Sequence, residues 1–190
     1  MQLVWPAAEY LRSYCEALKQ GWSPNNLRPQ AAQEELAAIQ ESPDAYFERI
    51  VNFQGGGQGV KLPDGSTVPR MPGYRRWMWD GEFCGSIQLR WLEGTTALPP
   101  YCLGHIGYSV VPWKQRRGHA TRALALLLPE AGARGLEHVE ITTTPENIAS
   151  QKVIRANGGV LVEEFEKMES LGGGRELRFR IPLGADPAPS

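Results

Sequence analysis

A short segment in the second half of the chain combines residue types suited to holding a phosphate group. It runs from Tyr108 to Ala120 and reads as a strand end, a donor-rich loop and a helix start. The first N–H groups of a helix lack intrahelical partners, and the helix dipole adds positive charge there, so an anion is favoured. Gly118 and Ala120 allow a diphosphate to approach the backbone. Countercharge comes from three basic side chains, Lys114, Arg116 and Arg117.

Two other phosphate sites are excluded by the same residues. The segment lacks the Gly-Lys-Ser/Thr ending of a nucleotide-hydrolysing phosphate loop, and it lacks the three spaced glycines of a dinucleotide fingerprint. A solvated basic turn that caps a helix stays open as the purely structural interpretation. We call residues 111–121 the anion turn.

Composition restricts the class of protein. The chain has 190 residues, 42% hydrophobic and 22% charged, with a net charge of −1, which predicts a globular cytoplasmic protein without a nucleic-acid or membrane partner. Three separated cysteines and three histidines, with no Cys-x-x-Cys pair, favour reduced thiols and predict no metal site. A reactive thiol at Cys84 or Cys102 is the alternative.

Hydrophobic periodicity predicts the elements that position the anion turn. Helices are expected over residues 7–20 and 29–52, the latter broken at Ser42-Pro43, with a long loop over 55–73. A helix over 118–134, kinked or shortened at Pro129, follows the turn. Asn147 is placed to cap a last helix over 147–156. Strands are expected at 75–79, 82–91, 105–111, 138–144, 160–165 and 176–183. This order predicts an α/β (α+β) fold, with helices covering a largely antiparallel sheet.

The anion turn resembles the acetyl-CoA signature of the GNAT acetyltransferase superfamily, Gln/Arg-x-x-Gly-x-Gly/Ala. Gln115-Arg116-Arg117-Gly118-His119-Ala120 fits it, and Asn147-Ile148-Ala149-Ser150 follows at the spacing of that family. The resemblance is clear over residues 75–183 and weak before them. The stretch from Gly104 to Val110 is also similar to a poorly characterised bacterial branch of predicted acetyltransferases.

The resemblance implies a sheet splayed between the family's fourth and fifth strands, with acetyl-CoA as cosubstrate in the gap. Its pantetheine would pair with the backbone of Ser109, Val110 and Val111, and the N–H of Val110 would polarise the thioester carbonyl. The diphosphate would lie on the N–H groups of Arg116 to Thr121. The implied cofactor-binding set also contains Gln115, Arg117, Gly118, His119, Ala120, Asn147 and Ser150.

The family's usual proton-transfer groups are missing. Ile154 stands where many members have a tyrosine, and Thr142 where some have a glutamate. Three catalytic candidates remain: His105, which titrates near neutrality; Glu140, which shares strand parity with Thr142; and Tyr108. Each also has a structural interpretation, as a structural histidine, a solvated carboxylate and a core aromatic.

The expected activity is direct attack of an amine on the thioester, which transfers the acetyl group. Residues 1–183 are expected to form one domain, with 1–74 on the acceptor side, 75–183 as the acetyl-CoA core, and 184–190 as a flexible tail. The acceptor is an amine-bearing small molecule or protein, and a homodimer is compatible with the resemblance. A non-catalytic acyl-CoA binding or sensing module is the main alternative, and a nucleic-acid binder using residues 114–117 is a weaker one.

Overall fold

The computed structural model describes residues 1–25 and 28–184, so the predicted tail lies outside the described residues except for Gly184. The chain divides into two compact units. Unit 1 comprises Met1–Phe53, Gly73–Gln88 and Tyr108–Ala123, and unit 2 comprises Gln54–Pro72, Leu89–Gly107 and the chain from Leu124 onwards. Each unit draws on segments from both sides of residues 74 and 75.

In the part of the chain that the structure describes, five α-helices form close to where periodicity predicts them: α1 (Ala8–Lys19), α2 (Ala31–Glu41), α3 (Pro43–Ile50), α4 (His119–Gly132) and α5 (Ile148–Ala156). The expected break between α2 and α3 is confirmed. Ser42 caps α3 by accepting a hydrogen bond at Oγ from the N–H of Ala45 (3.2 Å), and Pro43 occupies the first turn, where its missing N–H costs nothing.

Helix α4 contains Pro129 in its interior. The helix continues through this proline to Gly132, and the Pro129 carbonyl still accepts the N–H of Ala133 (3.0 Å). A proline inside a helix removes one hydrogen bond. Leu124, Leu127 and Ala131 on one face are fully buried, and their packing maintains the helix past the proline.

The described residues also form ten strands: β1 (Gln2–Val4), β2 (Val51–Asn52), β3 (Val60–Lys61), β4 (Thr67–Val68), β5 (Gly73–Trp79), β6 (Phe83–Arg90), β7 (Ile106–Val110), β8 (His138–Thr143), β9 (Val160–Glu166) and β10 (Arg175–Pro182). One sheet has the order β1-β5-β6-β7, with β2 also pairing β5. Another has the order β8-β10-β9, all antiparallel, and β3 pairs β4. The strands that correspond to the family's fourth and fifth, β7 and β8, thus belong to different sheets.

Aromatic packing holds the N-terminal helices of unit 1 against β5 and β6. Tyr14 stacks on Trp77 with ring centroids 4.4 Å apart and meets Phe83 edge-on at 5.0 Å. All three side chains are buried. The aromatic residues before the anion turn therefore act here as core.

A buried charged network crosses the same core. The Glu35 carboxylate accepts hydrogen bonds from the hydroxyls of Tyr14 and Tyr46 and pairs with the Arg75 guanidinium at 2.9 Å. Burial alone would raise the pKa of Glu35, but Arg75 and the two hydroxyls lower it overall. The Glu35 carboxylate is thus buried and fully paired. From its position in the helix sequence, a solvated side chain would be equally typical.

Gly85 permits the close approach of β6 to β7. Its φ is +150°, and an added Cβ would collide with the Ser109 carbonyl and lie 2.8 Å from Cα of Val110. Gly81 also has a positive φ (+113°), yet a Cβ added there would have no atom within 4 Å.

We expect Gly85→Ala to lower the free energy of unfolding by at least about 2 kcal/mol more than Gly81→Ala, because it combines backbone strain with a steric clash. Urea denaturation of both variants measures the difference. Equal losses would show that the approach of β6 to β7 is not tight.

Candidate active site

The anion turn begins where β7, an edge strand of its sheet, ends. A short 3-10 turn over Pro112–Lys114 leads to Arg116, the one non-glycine residue of the described chain with positive φ (+59°), and then to Gly118 (+76°). Left-handed residues within a turn direct neighbouring N–H groups into a shared concavity that suits an anion. Helix α4 starts directly after Gly118.

The backbone amides at this helix start are not used by the backbone. Within residues 1–25 and 28–184, the N–H groups of residues 116–120 make no backbone hydrogen bond, and the carbonyl of Gly118 first accepts from the N–H of Arg122 (3.0 Å). The loop is closed elsewhere, because Gln115 Nε2 donates to the Val110 carbonyl (3.3 Å) and Arg117 donates to the Trp113 carbonyl (3.2 Å). The unpaired helix start predicted from the sequence is therefore present.

Val111 requires a correction. Its N–H donates to the Cys84 carbonyl (2.9 Å), its own carbonyl accepts from the N–H of Lys114 (3.0 Å), and its side chain is buried. Both backbone groups are thus satisfied within the protein, so Val111 is unsuited to pairing with pantetheine as the resemblance implied.

The backbone groups of Ser109 and Val110 point to opposite sides of β7. Backbone groups alternate sides along a strand, and Val111 faces β6, so the N–H of Val110 points to the outer edge of the sheet. The Ser109 hydroxyl accepts a hydrogen bond from Nε1 of the buried Trp22 (3.0 Å). Tyr108, partly buried, projects from the opposite face of β7 to Ser109.

Lys114 also requires a correction, because it does not face outwards as countercharge. Its side chain is 8% exposed, and Nζ lies 2.5 Å from Oδ1 of Asp80 and 3.2 Å from Glu82. Burial works to lower the pKa of Lys114, but the two carboxylates raise it overall. Burial works to raise the pKa of Asp80, but the hydrogen bond and the positive charge of Lys114 contribute to lowering it overall.

Asp80, Cys84 and His119 bring potential metal ligands within 4.8 Å of one another. Lys114 already supplies positive charge to Asp80, and burial raises the pKa of the Cys84 thiol to about 11. The high thiol pKa also argues against a reactive thiol at Cys84. The geometry therefore favours a charge cluster that holds the anion turn over a cation site.

The predicted general base His105 is embedded in unit 2. The side chain is fully buried, Nδ1 accepts the N–H of Glu140 (2.9 Å), and Nε2 lies 3.1 Å from the Thr96 carbonyl. Burial lowers its pKa to about 4. With both ring nitrogens occupied, His105 is suited to joining β8 to the segment before β7 and unsuited to deprotonating an amine.

The predicted acid or base Glu140 is held by cations. Its carboxylate lies 2.7 Å from Arg180 and 3.5 Å from Arg178, with 14% of the side chain exposed. The expected parity with Thr142 is confirmed, since both alternate with buried neighbours along β8. Both oxygens of the Glu140 carboxylate are thus engaged by arginines.

Residues 147–150 belong to unit 2, whereas the anion turn belongs to unit 1. Asn147 Oδ1 accepts the N–H of Ser150 (3.1 Å) and caps α5, as predicted. Ile154, at the family's tyrosine position, is fully buried core.

Sequence reasoning missed Asp80, which contacts the turn through Lys114, and Trp22, which donates a hydrogen bond to Ser109 in β7. The sequence pattern indicates Asp80 only as a hairpin turn residue, and Trp22 lies 87 positions before its partner Ser109. The one available signal was the acidic pair Asp80 and Glu82 flanking a tight turn, which does not specify a distant lysine.

Comparison with characterised families assigns the class. The family described as "Acetyltransferase (GNAT) domain" matches residues 7–160. The chain belongs to this family, and the prediction of an acetyl-CoA-dependent acetyltransferase is confirmed at that level. No curated protein matches the chain in sequence. Among the described residues, every helix is too short or too polar to pass through a bilayer.

Solved structures share the fold at low sequence identity. The microcin C7 self-immunity acetyltransferase MccE, in complex with acetyl-CoA and AMP, matches with TM-score 0.63 and 14% identity over 95% of this chain and 91% of its own. RimL, the ribosomal L7/L12 alpha-N-protein acetyltransferase, in complex with CoA, matches with TM-score 0.61 and 15% identity over 97% and 94%. YncA from Salmonella typhimurium, a putative acetyltransferase with its cofactor acetyl-CoA, matches with TM-score 0.55 and 13% identity over 100% and 97%.

We expect His105→Gln to flatten the acid side of the stability profile. The pKa of His105 falls from 6.5 to about 4 on folding, so the unfolded chain takes up a proton that the folded protein refuses. This stabilisation is complete above pH 6.5 and is lost as pH falls towards 4, by up to about 1.4 kcal/mol per pH unit. Denaturant unfolding from pH 7 to 4 compares the two proteins, and parallel profiles would exclude a neutral buried imidazole.

Proposed function

We propose that this protein transfers the acetyl group of acetyl-CoA to a primary amine by direct attack of the amine on the thioester. The observation that carries the proposal is the row of backbone amides at residues 116–120, unused by the backbone, at the start of α4. Such a row, with the dipole of the helix behind it, binds a diphosphate without any side chain.

Donor binding is assigned to the backbone of Ser109 and Val110 and to the N–H groups of Arg116 to Thr121. Gln115 holds the loop to β7 through the Val110 carbonyl. Arg116 and Arg117 supply countercharge, since both are exposed. Asn147 and Ser150, which the family resemblance adds to the set, lie in unit 2, where Asn147 Oδ1 caps α5.

The N–H of Val110 is proposed to polarise the thioester carbonyl. It points to the outer edge of the sheet, and a fixed amide aimed at the oxygen stabilises the negative charge that develops during attack. The tetrahedral adduct then collapses, the C–S bond breaks, and the amide product and CoA thiol leave.

Proton transfer is proposed to depend on solvent and Tyr108. The amine loses a proton and the departing thiolate gains one, and Tyr108 is the candidate that shares unit 1 with the anion turn. His105 and Glu140 have partners that occupy their lone pairs. General acid–base catalysis contributes about 10²–10⁴-fold, so positioning of the thioester still sustains turnover without a dedicated base.

The acceptor is proposed to be an amine-bearing small molecule or protein in the cytosol. The three cysteines are free thiols, which suits a reducing compartment. One similar structure is named as a microcin C7 self-immunity acetyltransferase, and another as an acetyltransferase of the ribosomal L7/L12 protein. The fold therefore accommodates different acceptors.

A free-thiol assay over a panel of primary amines, beside calorimetry of acetyl-CoA binding, tests the proposal. We expect binding of acetyl-CoA and amine-dependent release of CoA. Binding without release for any amine would instead favour the non-catalytic acyl-CoA module.

The diphosphate position is tested by Gly118→Asp beside Gly118→Asn. Both residues tolerate the left-handed backbone at φ +76°, and no atom lies within 4 Å of a Cβ there, so the two variants differ mainly in charge. We expect acetyl-CoA to raise the melting temperature of wild type and Gly118→Asn, and to raise that of Gly118→Asp far less. Equal shifts in both variants would place the diphosphate elsewhere.

A further inference from the structure

The anion turn contains a lysine whose charge is directed into the protein. Lys114 ends the 3-10 turn and is 8% exposed, although the neighbouring Arg116 and Arg117 are exposed. A buried ammonium is costly unless it is paired. Asp80 and Glu82, at the turn between β5 and β6, provide the pairing at 2.5 and 3.2 Å.

A second residue of the turn meets the same carboxylate. His119, the first residue of α4, has 10% of its side chain exposed, and its Nε2 lies 3.6 Å from Oδ2 of Asp80. This nitrogen is buried and makes no hydrogen bond within the described residues. Asp80 therefore contacts the turn at both ends, on each side of the amides at residues 116–118.

We propose that Asp80 is a positioning residue for the cosubstrate: its ion pair with Lys114 fixes the anion turn in the conformation that binds the diphosphate. The proposal rests on the proposed function. Asp80 touches no part of acetyl-CoA, and it acts through Lys114 and His119. Without its carboxylate, the buried ammonium keeps only Glu82, whose side chain is 73% exposed and holds it weakly.

An ordered anion turn raises the affinity for the diphosphate, because binding to a flexible loop must also order that loop. Arg116 and Gly118 both adopt left-handed backbone, and Arg116 pays a steric penalty there that the surrounding contacts must offset. When the ion pair is lost, the turn samples other conformations, and only the fraction with converging amides binds the diphosphate.

The opposing possibility is that Lys114 leaves Asp80 and binds a phosphate directly. The two arrangements predict different effects on binding when Lys114 and Asp80 are substituted singly and together. If Lys114 acts only through Asp80, removing either partner has the same effect, and removing both adds nothing. If Lys114 contacts phosphate, its removal weakens binding whether or not Asp80 is present.

Calorimetry of acetyl-CoA binding to wild type, Asp80→Asn, Lys114→Met and the double variant makes this distinction. We expect each single variant to raise Kd about tenfold and the double variant to match them, with Asp80→Glu close to wild type. Additive losses, or an unchanged Kd in Asp80→Asn, would overturn the proposal. Should Asp80→Asn fail to fold, Glu82→Gln weakens the same ammonium pair from its exposed side, and a smaller increase of Kd is then expected.

Two controls separate positioning from general destabilisation. Glu35→Gln breaks the ion pair between Glu35 and Arg75. This pair is comparably buried, belongs to unit 1 and is remote in sequence from the turn. We expect it to lower the melting temperature while leaving Kd for acetyl-CoA unchanged. S-acetylpantetheine, which lacks the diphosphate, should bind wild type and Asp80→Asn equally, and a parallel loss of its binding would show that Asp80 serves the fold as a whole.

Failure of this proposal is distinguishable from failure of the proposed function. If wild-type protein does not bind acetyl-CoA, the function is wrong. If wild type binds and Asp80→Asn binds equally well, only the positioning role is wrong.

Discussion

The described structure depends on one constraint, which is that a helix cannot satisfy its own first N–H groups. At the start of α4, the N–H groups of residues 116–120 make no backbone hydrogen bond to any residue that the structure describes, and neighbouring contacts keep the loop in place. The Gln115 side chain donates a hydrogen bond to the Val110 carbonyl, and the Arg117 side chain donates one to the Trp113 carbonyl. The N–H of Val111 donates to the Cys84 carbonyl in β6. These contacts lie at the ends of the turn, on either side of the N–H groups to which we assign the diphosphate. Strand β7, the helix start and the left-handed backbone of the turn all serve that arrangement.

Basic residues that are adjacent in sequence have different physical roles. Arg116 and Arg117 are exposed, whereas Lys114 is buried beside Asp80. A guanidinium beside a bound phosphate provides attraction, and an ammonium paired beneath the loop provides order. Asp80, remote in sequence, contacts the turn through this buried ion pair.

The described titrating side chains that sequence reasoning singled out as bases are engaged by other protein groups. His105 and Glu140 both have the residue types of a base, but one is buried neutral between Thr96 and Glu140 and the other is paired with Arg178 and Arg180. The side chains that many relatives use are replaced by Thr142 and the buried Ile154. Under the proposed function, orientation of the thioester and stabilisation of charge on its oxygen would supply most of the acceleration.

The sequence by itself determined features that arise from local interactions: the break at Ser42-Pro43, the cap at Asn147, the helix start after Gly118, and through them the family and the fold class. The short strands β1 and β2 escaped prediction because isolated strands of two or three residues carry no periodic signal. Only the tertiary structure decided what Lys114, Val111, Glu35 and His105 do. Their partners come from distant segments, and the burial that those segments create fixes whether a charge is paired, whether an amide is available and whether an imidazole can take a proton.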